Sequence, residues 1–371
     1  QGVANSVGMA MGGRFLGEGA LAATANANVI MFLAFAAVFG FGMAATVMIG
    51  QAAGRHDMDA ARRAFGSAVG FLIAIAVATG IIGWIATPAI LDALATPPEA
   101  YTLALDYLRV TFVAIPASMV SVMVMMGLRG IGDSVTPLRF MIVSVVLDIV
   151  LNPLLILGLG PFPRLGIAGS ALSTALAGTI SLIAMIVYIY AKDIPLRLRG
   201  PELAYLRPRW SDLRFIMVKG LPMGAQMILI AAAGLIMSGL INREGLITAA
   251  AYGASLQLWA YIQMPALAIG AAVSAMAAQN IGAGKWDRID RITASGIGIN
   301  IVMTGVLVGL MLAFDRPVLA LFLGSESPAV DVARHIQFLS SWSFILFGVM
   351  MVLFSAMRAN GAVLAPLLIL A

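Results

Sequence analysis

The sequence predicts an all-α polytopic membrane protein built from two pseudo-symmetric six-helix lobes. Three observations predict it: an apolar composition, a run of long apolar segments whose basic residues collect on one side, and an internal repeat. Of 371 residues, 61% are hydrophobic and 11% are charged, where a soluble domain carries roughly 25% charged residues. The net charge of +5 fits basic cytoplasmic loops, and nucleic acid is not expected as a partner. Cysteine is absent, which excludes disulfides, thiolate metal sites and cysteine nucleophiles. His56 and His335 lie far apart in sequence and suggest no metal site.

A bilayer-spanning helix needs about 20 mostly apolar residues. Ten segments supply candidates, two of them partial at the chain ends: 1–13, 22–50, 64–88, 101–127, 137–158, 166–191, 213–241, 247–278, 292–314 and 331–356. An eleventh begins near 362. Pro116, Pro153 and Pro265 fall inside these segments, which membrane helices tolerate when neighbours satisfy the freed backbone. Segment 22–50 ends before Arg55, Arg62 and Arg63, and segment 101–127 before Arg129 and Arg139. Segment 166–191 runs into a basic linker, 247–278 precedes Lys285, Arg288 and Arg291, and 331–356 precedes Arg358. The intervening segments end on the other side, near Asp92, Arg164, Arg243 and Arg316. Sixteen of the 22 basic residues therefore fall on one side, which the positive-inside bias makes cytoplasmic.

GQAAGRHDMDAARRAFGSAVG (50–70) aligns with AQNIGAGKWDRIDRITASGIG (278–298) at an offset of 228. GLRGIGDSVTP (127–137) aligns with AMRANGAVLAP (356–366) at 229, matching Arg129 to Arg358 and Pro137 to Pro366. Shared loop chemistry is the alternative explanation, but the agreement in offset favours duplication. The repeat spans six segments, an even number, so its copies are parallel and related by an axis along the membrane normal. The expected organisation is an N-terminal six-helix lobe at 1–191, a basic cytoplasmic linker at 192–212, and a C-terminal lobe at 213–371. Twelve helices are expected in the full protein and about ten to eleven here. The first helix is expected to be truncated, and the C-terminal lobe to hold helices seven to ten and the start of eleven.

GRFLGEGALAA (13–23), the GQAAGRHDMDAARRA loop, LRGIGDSVTP (128–137) and NPLLILGLGPFPRLGIAGSALSTALA (152–177) resemble the multidrug and toxic compound extrusion (MATE) family. The resemblance runs over essentially the whole chain in the same order. It implies a secondary-active antiporter with a central cavity of alternating access. Such an antiporter exports amphipathic or cationic organic compounds in exchange for Na⁺ or H⁺, with no other cofactor. It further implies a multi-pass protein of the bacterial inner membrane, expected to be a monomer, whose partners are small organic substrates and the lipid bilayer. One departure stands out. Many bacterial members carry a first-helix aspartate five residues before a Gly-Arg pair, and here that position is Gly8.

Asp148 is then the only acid well inside a segment. A carboxylate at mid-membrane costs roughly 2.5–3.5 kcal/mol on insertion scales, and persists when it faces a cavity or a partner. Asn152 lies four residues on, on the same helix face. Pro153 cannot donate to the carbonyl of Ile149. A carboxylate, an amide oxygen and a freed carbonyl suit a hard cation, and the carboxylate itself can carry a proton. The resemblance adds Thr174, since the family pairs an Asn and an Asp four apart on the fifth helix, in the opposite order to Asp148 and Asn152, with a hydroxyl from the sixth. Asp148, Asn152 and Thr174 are the expected cation-coupling site, with simple helix packing as the alternative role for Asp148.

Gln257, Trp259, Tyr261 and Gln263 alternate before Pro265, and with Gln226, Asn26 and Asn28 they are candidates for a substrate cavity. Rings and neutral hydrogen-bonders suit aromatic cations, while an interfacial belt explains Trp259 and Tyr261 equally well. Arg129 with Asp133, and Arg62 and Arg63 with Asp59, are expected as cytoplasmic clasps, structural or gating. The linker RLRGPELAYLRPRW can lie on anionic lipid or run solvated. The rival functions are a lipid-linked oligosaccharide flippase, disfavoured because no basic residue but Arg109 approaches mid-span, and an uncoupled binding relative, prompted by Gly8. A membrane enzyme lacks a visible nucleophile–base pair or metal cluster.

Overall fold

The computed structural model describes residues 18–93, 98–158, 165–323 and 327–370. They are helical almost throughout. The first helices are α1 (Glu18–Gly54), α2 (Met58–Ala93), α3 (Pro98–Gly130), α4 (Val135–Leu157) and α5 (Ile167–Ala191). A 3-10 turn at Gly200–Leu206 interrupts the linker. Then come α6 (Trp210–Asn242), α7 (Leu246–Gly282), α8 (Asp287–Ala313), α9 (Asp315–Leu323), α10 (Ala329–Ser340), α11 (Ser343–Ala359) and α12 (Leu364–Leu370). Among the described residues, seven helices are long and apolar enough to cross a membrane, eight if one bent pair counts as a span. The expected segments from 64 to 314 each match one of α2 to α8, with 137–158, 166–191 and 292–314 overrunning by one residue; segment 22–50 falls within α1, and segment 1–13 lies outside the described residues.

The bent pair corrects the expectation of one continuous helix over 331–356. The helix breaks by 45° between α10 and α11. The run Ser340-Ser341-Trp342-Ser343 supplies the cause without a proline. Ser343 Oγ donates to the Ser340 carbonyl at 2.6 Å, so a hydroxyl takes an acceptor of the helical ladder. The amides of Phe344 and Ile345 bond three residues back, to Ser341 and Trp342, the tighter 3-10 pattern. The segment after 314 also folds, as α9. Buried Leu319 packs there with Ala329, Val330 and Ala333 of α10, and Arg334 Nε donates to Asp315 Oδ2 at 2.8 Å.

The chain forms two compact units: residues up to 49 with 57–224, and 50–56 with 225–371. In the first unit, α2 packs on α3, and α5 packs on both α3 and α4. The α4 helix is apolar outside and polar inside. Ile142, Val146 and Val150, one turn apart, are exposed, while Asp148 and Asn152 are buried. Lipid solvates the first stripe, and the protein must satisfy the second.

Candidate functional site

Two glycines bring α5 against α4. Gly158 ends α4 in the left-handed conformation, with φ 69° and its N–H bonded to the Leu154 carbonyl. Gly169 opens α5 so close to α4 that a Cβ there would lie 2.6 Å from the Leu155 carbonyl oxygen. The antiparallel helices then meet along a polar seam. Asn152 Nδ2 donates to Ser170 Oγ at 3.4 Å. Ser173 Oγ lies 2.5 Å from Asp148 Oδ1. Further along, Ser181 Oγ donates to the Phe140 carbonyl at 2.6 Å, and Arg139 Nη1 donates to Tyr188 Oη at 3.2 Å.

Asp148 is 5% exposed. The Ser173 hydroxyl reaches its carboxylate and also its own carbonyl, at 3.0 Å. Thr174 Oγ1 sits 3.2 and 3.3 Å from the two carboxylate oxygens, and 3.3 Å from the Ser170 carbonyl. Each hydroxyl has one proton, so each can serve one of these acceptors at a time. Asn152 Oδ1 is buried and has no hydrogen-bond partner. Tyr107 of α3 lies within electrostatic reach of Asp148. No described ion pair involves Asp148. The structure thus brings together Asp148, Asn152 and Thr174, and adds Ser170 and Ser173, which sequence reasoning misses. Their signal is nonetheless present, since 170, 173 and 174 form one face of α5 at helical spacing.

The cavity candidates scatter. Gln257 and Tyr261 are exposed, Gln263 is half-buried and Trp259 is buried. The Trp259 ring stands edge-on to Tyr252 and tilted against Phe344. Its Nε1–H donates to Gln337 Oε1 at 2.8 Å, and Ser341 Oγ donates to the same oxygen at 3.1 Å. Trp259 therefore braces the break between α10 and α11. Gln226 is buried, and its Oε1 accepts from Arg358 Nη2 at 2.5 Å. Its Nε2 donates to the Val363 carbonyl at 3.3 Å. The side chains of Asn26 and Asn28, and the whole of Gly8, lie outside the described residues.

The clasps form differently from expectation. Arg63 pairs with Asp59 at 2.6 Å, but Arg62 turns to the linker and pairs with Glu202 at 3.0 Å. The expected Arg129–Asp133 pair is not made. Asp133 instead caps α4, accepting from the amides of Val135 and Thr136 and from the Thr136 hydroxyl. A carboxylate just before a helix satisfies first-turn amides that have no helical partner.

Comparison with known proteins agrees with this architecture. The MatE family matches residues 3–154 and again 222–371. The chain is 35% identical over 369 residues to the probable multidrug resistance protein YoeA of Bacillus subtilis (strain 168), covering 100% of this chain and 80% of that protein. It is 30% identical over 358 residues to the probable multidrug resistance protein YpnP of the same strain, covering 96% and 78%. A crystal structure of MATE in complex with MaD3S superposes with a TM-score of 0.90 at 19% identity, covering 99% of this chain and 80% of that one. That likeness shows the fold; the sequence matches show more, and the chain belongs to the MATE family of membrane transporters.

Proposed function

We propose that this protein is a secondary-active antiporter that exports amphipathic or cationic organic compounds in exchange for Na⁺ or H⁺. In this reading Asp148 carries the coupling cation. One observation supports it above the others: a buried carboxylate with hydroxyls around it and no basic partner among the described residues. A carboxylate placed only for packing would be ion-paired or replaced by an amide, since an unpaired buried charge is costly. Reversible occupation by a cation accounts for its presence.

The neighbours suit that role. The Ser173 and Thr174 hydroxyls can donate to the empty carboxylate and turn their lone pairs to a cation. Asn152 Oδ1, without a partner, is a ready oxygen ligand. Pro153 lies inside α4 and leaves the Ile149 carbonyl without its helical donor. Hard cations such as Na⁺ take sets of this kind. A proton on Asp148 would serve the same exchange. The drug-export part of the reading follows from family membership and from the names of YoeA and YpnP. The cytoplasmic 192–212 linker and the two-lobe boundaries at 191 and 213 belong to the same proposal.

The test is efflux of a fluorescent organic cation from proteoliposomes under an imposed Na⁺ gradient, and separately under a pH gradient. Wild type should respond to one of them. Asp148→Asn should lose the response. Equal efflux from wild type and variant under both gradients would move coupling away from Asp148.

A further inference from the structure

The linker between α5 and α6 is neither loose nor charge-balanced on its outer side. Leu196 and Leu198 are buried in the first unit. Gly66 and Gly70 of α2 make room for the 3-10 turn: a Cβ on Gly66 would lie 2.7 Å from Tyr205 Cβ. Arg62 Nε donates to the Pro195 carbonyl at 2.8 Å, and Tyr190 Oη donates to the Leu198 carbonyl at 2.6 Å. Tyr205 Oη donates to Asp59 at 2.7 Å, and the Arg63 guanidinium lies over the Tyr205 ring.

Each acid of the strap has a partner. Glu202 is taken by Arg62, Asp212 by the Ser67 hydroxyl at 2.9 Å, and Asp193 by Arg197 and Arg199. The remaining cations face outward. Lys192, Arg207, Arg209 and Arg214 are exposed, and no described ion pair engages them. Among them stand two exposed apolar side chains, Trp210 (72%) and Leu203 (50%). Trp210 and Arg214 lie one turn apart where α6 begins, and exposed Met217, Val218 and Leu221 continue the same stripe. Tryptophan and arginine at the end of a spanning helix mark the headgroup layer.

We propose that the strap formed by residues 192–214 binds anionic phospholipid headgroups of the cytoplasmic leaflet, with Arg207, Arg209 and Arg214 on phosphate and Trp210 inserted beside them. Glu202 and Asp212 turn to α2, and the exposed Asp193 is matched by Arg197 and Arg199, so the outer face carries a net positive charge. Such a face attracts lipids whose phosphate carries no compensating ammonium, through contacts that added salt weakens. Because the strap joins α5 to α6, its occupancy ties the linker to the bilayer surface.

The experiment purifies the protein from mixed phosphatidylglycerol and phosphatidylcholine micelles and counts retained lipid by native mass spectrometry. Wild type should retain phosphatidylglycerol over phosphatidylcholine by about tenfold, a preference that falls as salt rises. The triple variant Arg207→Gln, Arg209→Gln, Arg214→Gln should lose most of the preference, and the corresponding Lys triple should keep it. Removal of Lys285, Arg288 and Arg291, where Asp287 and Asp290 are interspersed, should leave it intact. Brominated phosphatidylglycerol should quench tryptophan fluorescence more than brominated phosphatidylcholine does, and Trp210→Phe should abolish that difference. Equal retention by wild type and the Gln triple overturns the proposal. So does equal loss from the 285–291 variant, which would reduce the effect to net charge.

Discussion

Asp148 in the first unit and Arg358 in the second are both buried charges on apolar helices, and neither has an opposite charge beside it among the described residues. Their surroundings differ. Asp148 meets hydroxyls that can turn either way and an Asn152 oxygen with no partner. Arg358 meets a fixed acceptor, Gln226 Oε1, and stands in the last turn of α11. The ends of α1 and α7 converge there. Gln51 Nε2 donates to the Ala359 carbonyl at 2.8 Å, and a Cβ on Gly282 would lie 2.8 Å from Gln51 Cα. The cation is held by one fixed acceptor, and its Nε is buried without a partner. The anion is balanced only by groups that can rearrange. The first arrangement is suited to holding a structure, the second to exchanging a ligand.

The sharpest way to break this contrast is to neutralise each charge in turn. Asp148→Asn should abolish gradient-driven efflux, more than tenfold below wild type, while its thermal unfolding midpoint stays within a few degrees, because the amide oxygen still accepts from Ser173. Arg358→Leu should do the reverse. It strands a buried Gln226 oxygen, for which the penalty is about 1–3 kcal/mol. The expected result is a marked loss of thermal stability in detergent. Adding Gln226→Leu should recover part of that loss, since replacing both partners with apolar groups removes the stranded acceptor. An Arg358→Leu protein that folds normally but transports poorly would make Arg358 a transport residue instead.

The same contrast explains what can be read from the sequence. Asp148 is legible because a carboxylate in a stretch such as IVSVVLDIVLNPLL has no bland explanation, and Asn152 follows from helical spacing. Ser173 is not, because serine is common in membrane helices and only the close approach at Gly169 turns it toward Asp148. Arg358 reads as one more cytoplasmic cation after an apolar segment. Its buried partner, Gln226, lies 132 residues away in the chain, a long-range pairing that no local pattern encodes. The helices themselves are legible wherever an apolar run is long. The break at Ser341 is not, because the hydroxyls that cause it are individually tolerated in helices.

A smaller effect is expected from Ser173→Ala. The serine makes the shortest contact to Asp148, and hydrogen bonds to charged groups contribute about 1.5–3 kcal/mol. Loss of that donor destabilises the empty carboxylate, so the apparent affinity for the coupling ion should shift by roughly ten- to a hundredfold toward tighter binding, with the substrate profile unchanged. Ser173→Thr should undo most of that shift. An unchanged ion dependence in Ser173→Ala would show that Thr174 alone serves the carboxylate.

The smallest effect tests the repeat. Arg129 aligns with Arg358 at an offset of 229, yet it is half-buried where Arg358 is buried. Its side chain makes no described hydrogen bond or ion pair, and Asp133, its expected partner, caps α4 instead. Water can solvate what Arg129 leaves exposed, so Arg129→Gln should change stability by no more than about 0.5 kcal/mol, the range for surface substitutions. Arg358→Gln, in the same chemical step, should lower the unfolding midpoint by several degrees more. The two variants, melted side by side, separate position in the repeat from local environment. Equal losses would mean that the repeat assigns both arginines one structural duty, and unequal losses that burial alone decides which of the pair the fold depends on.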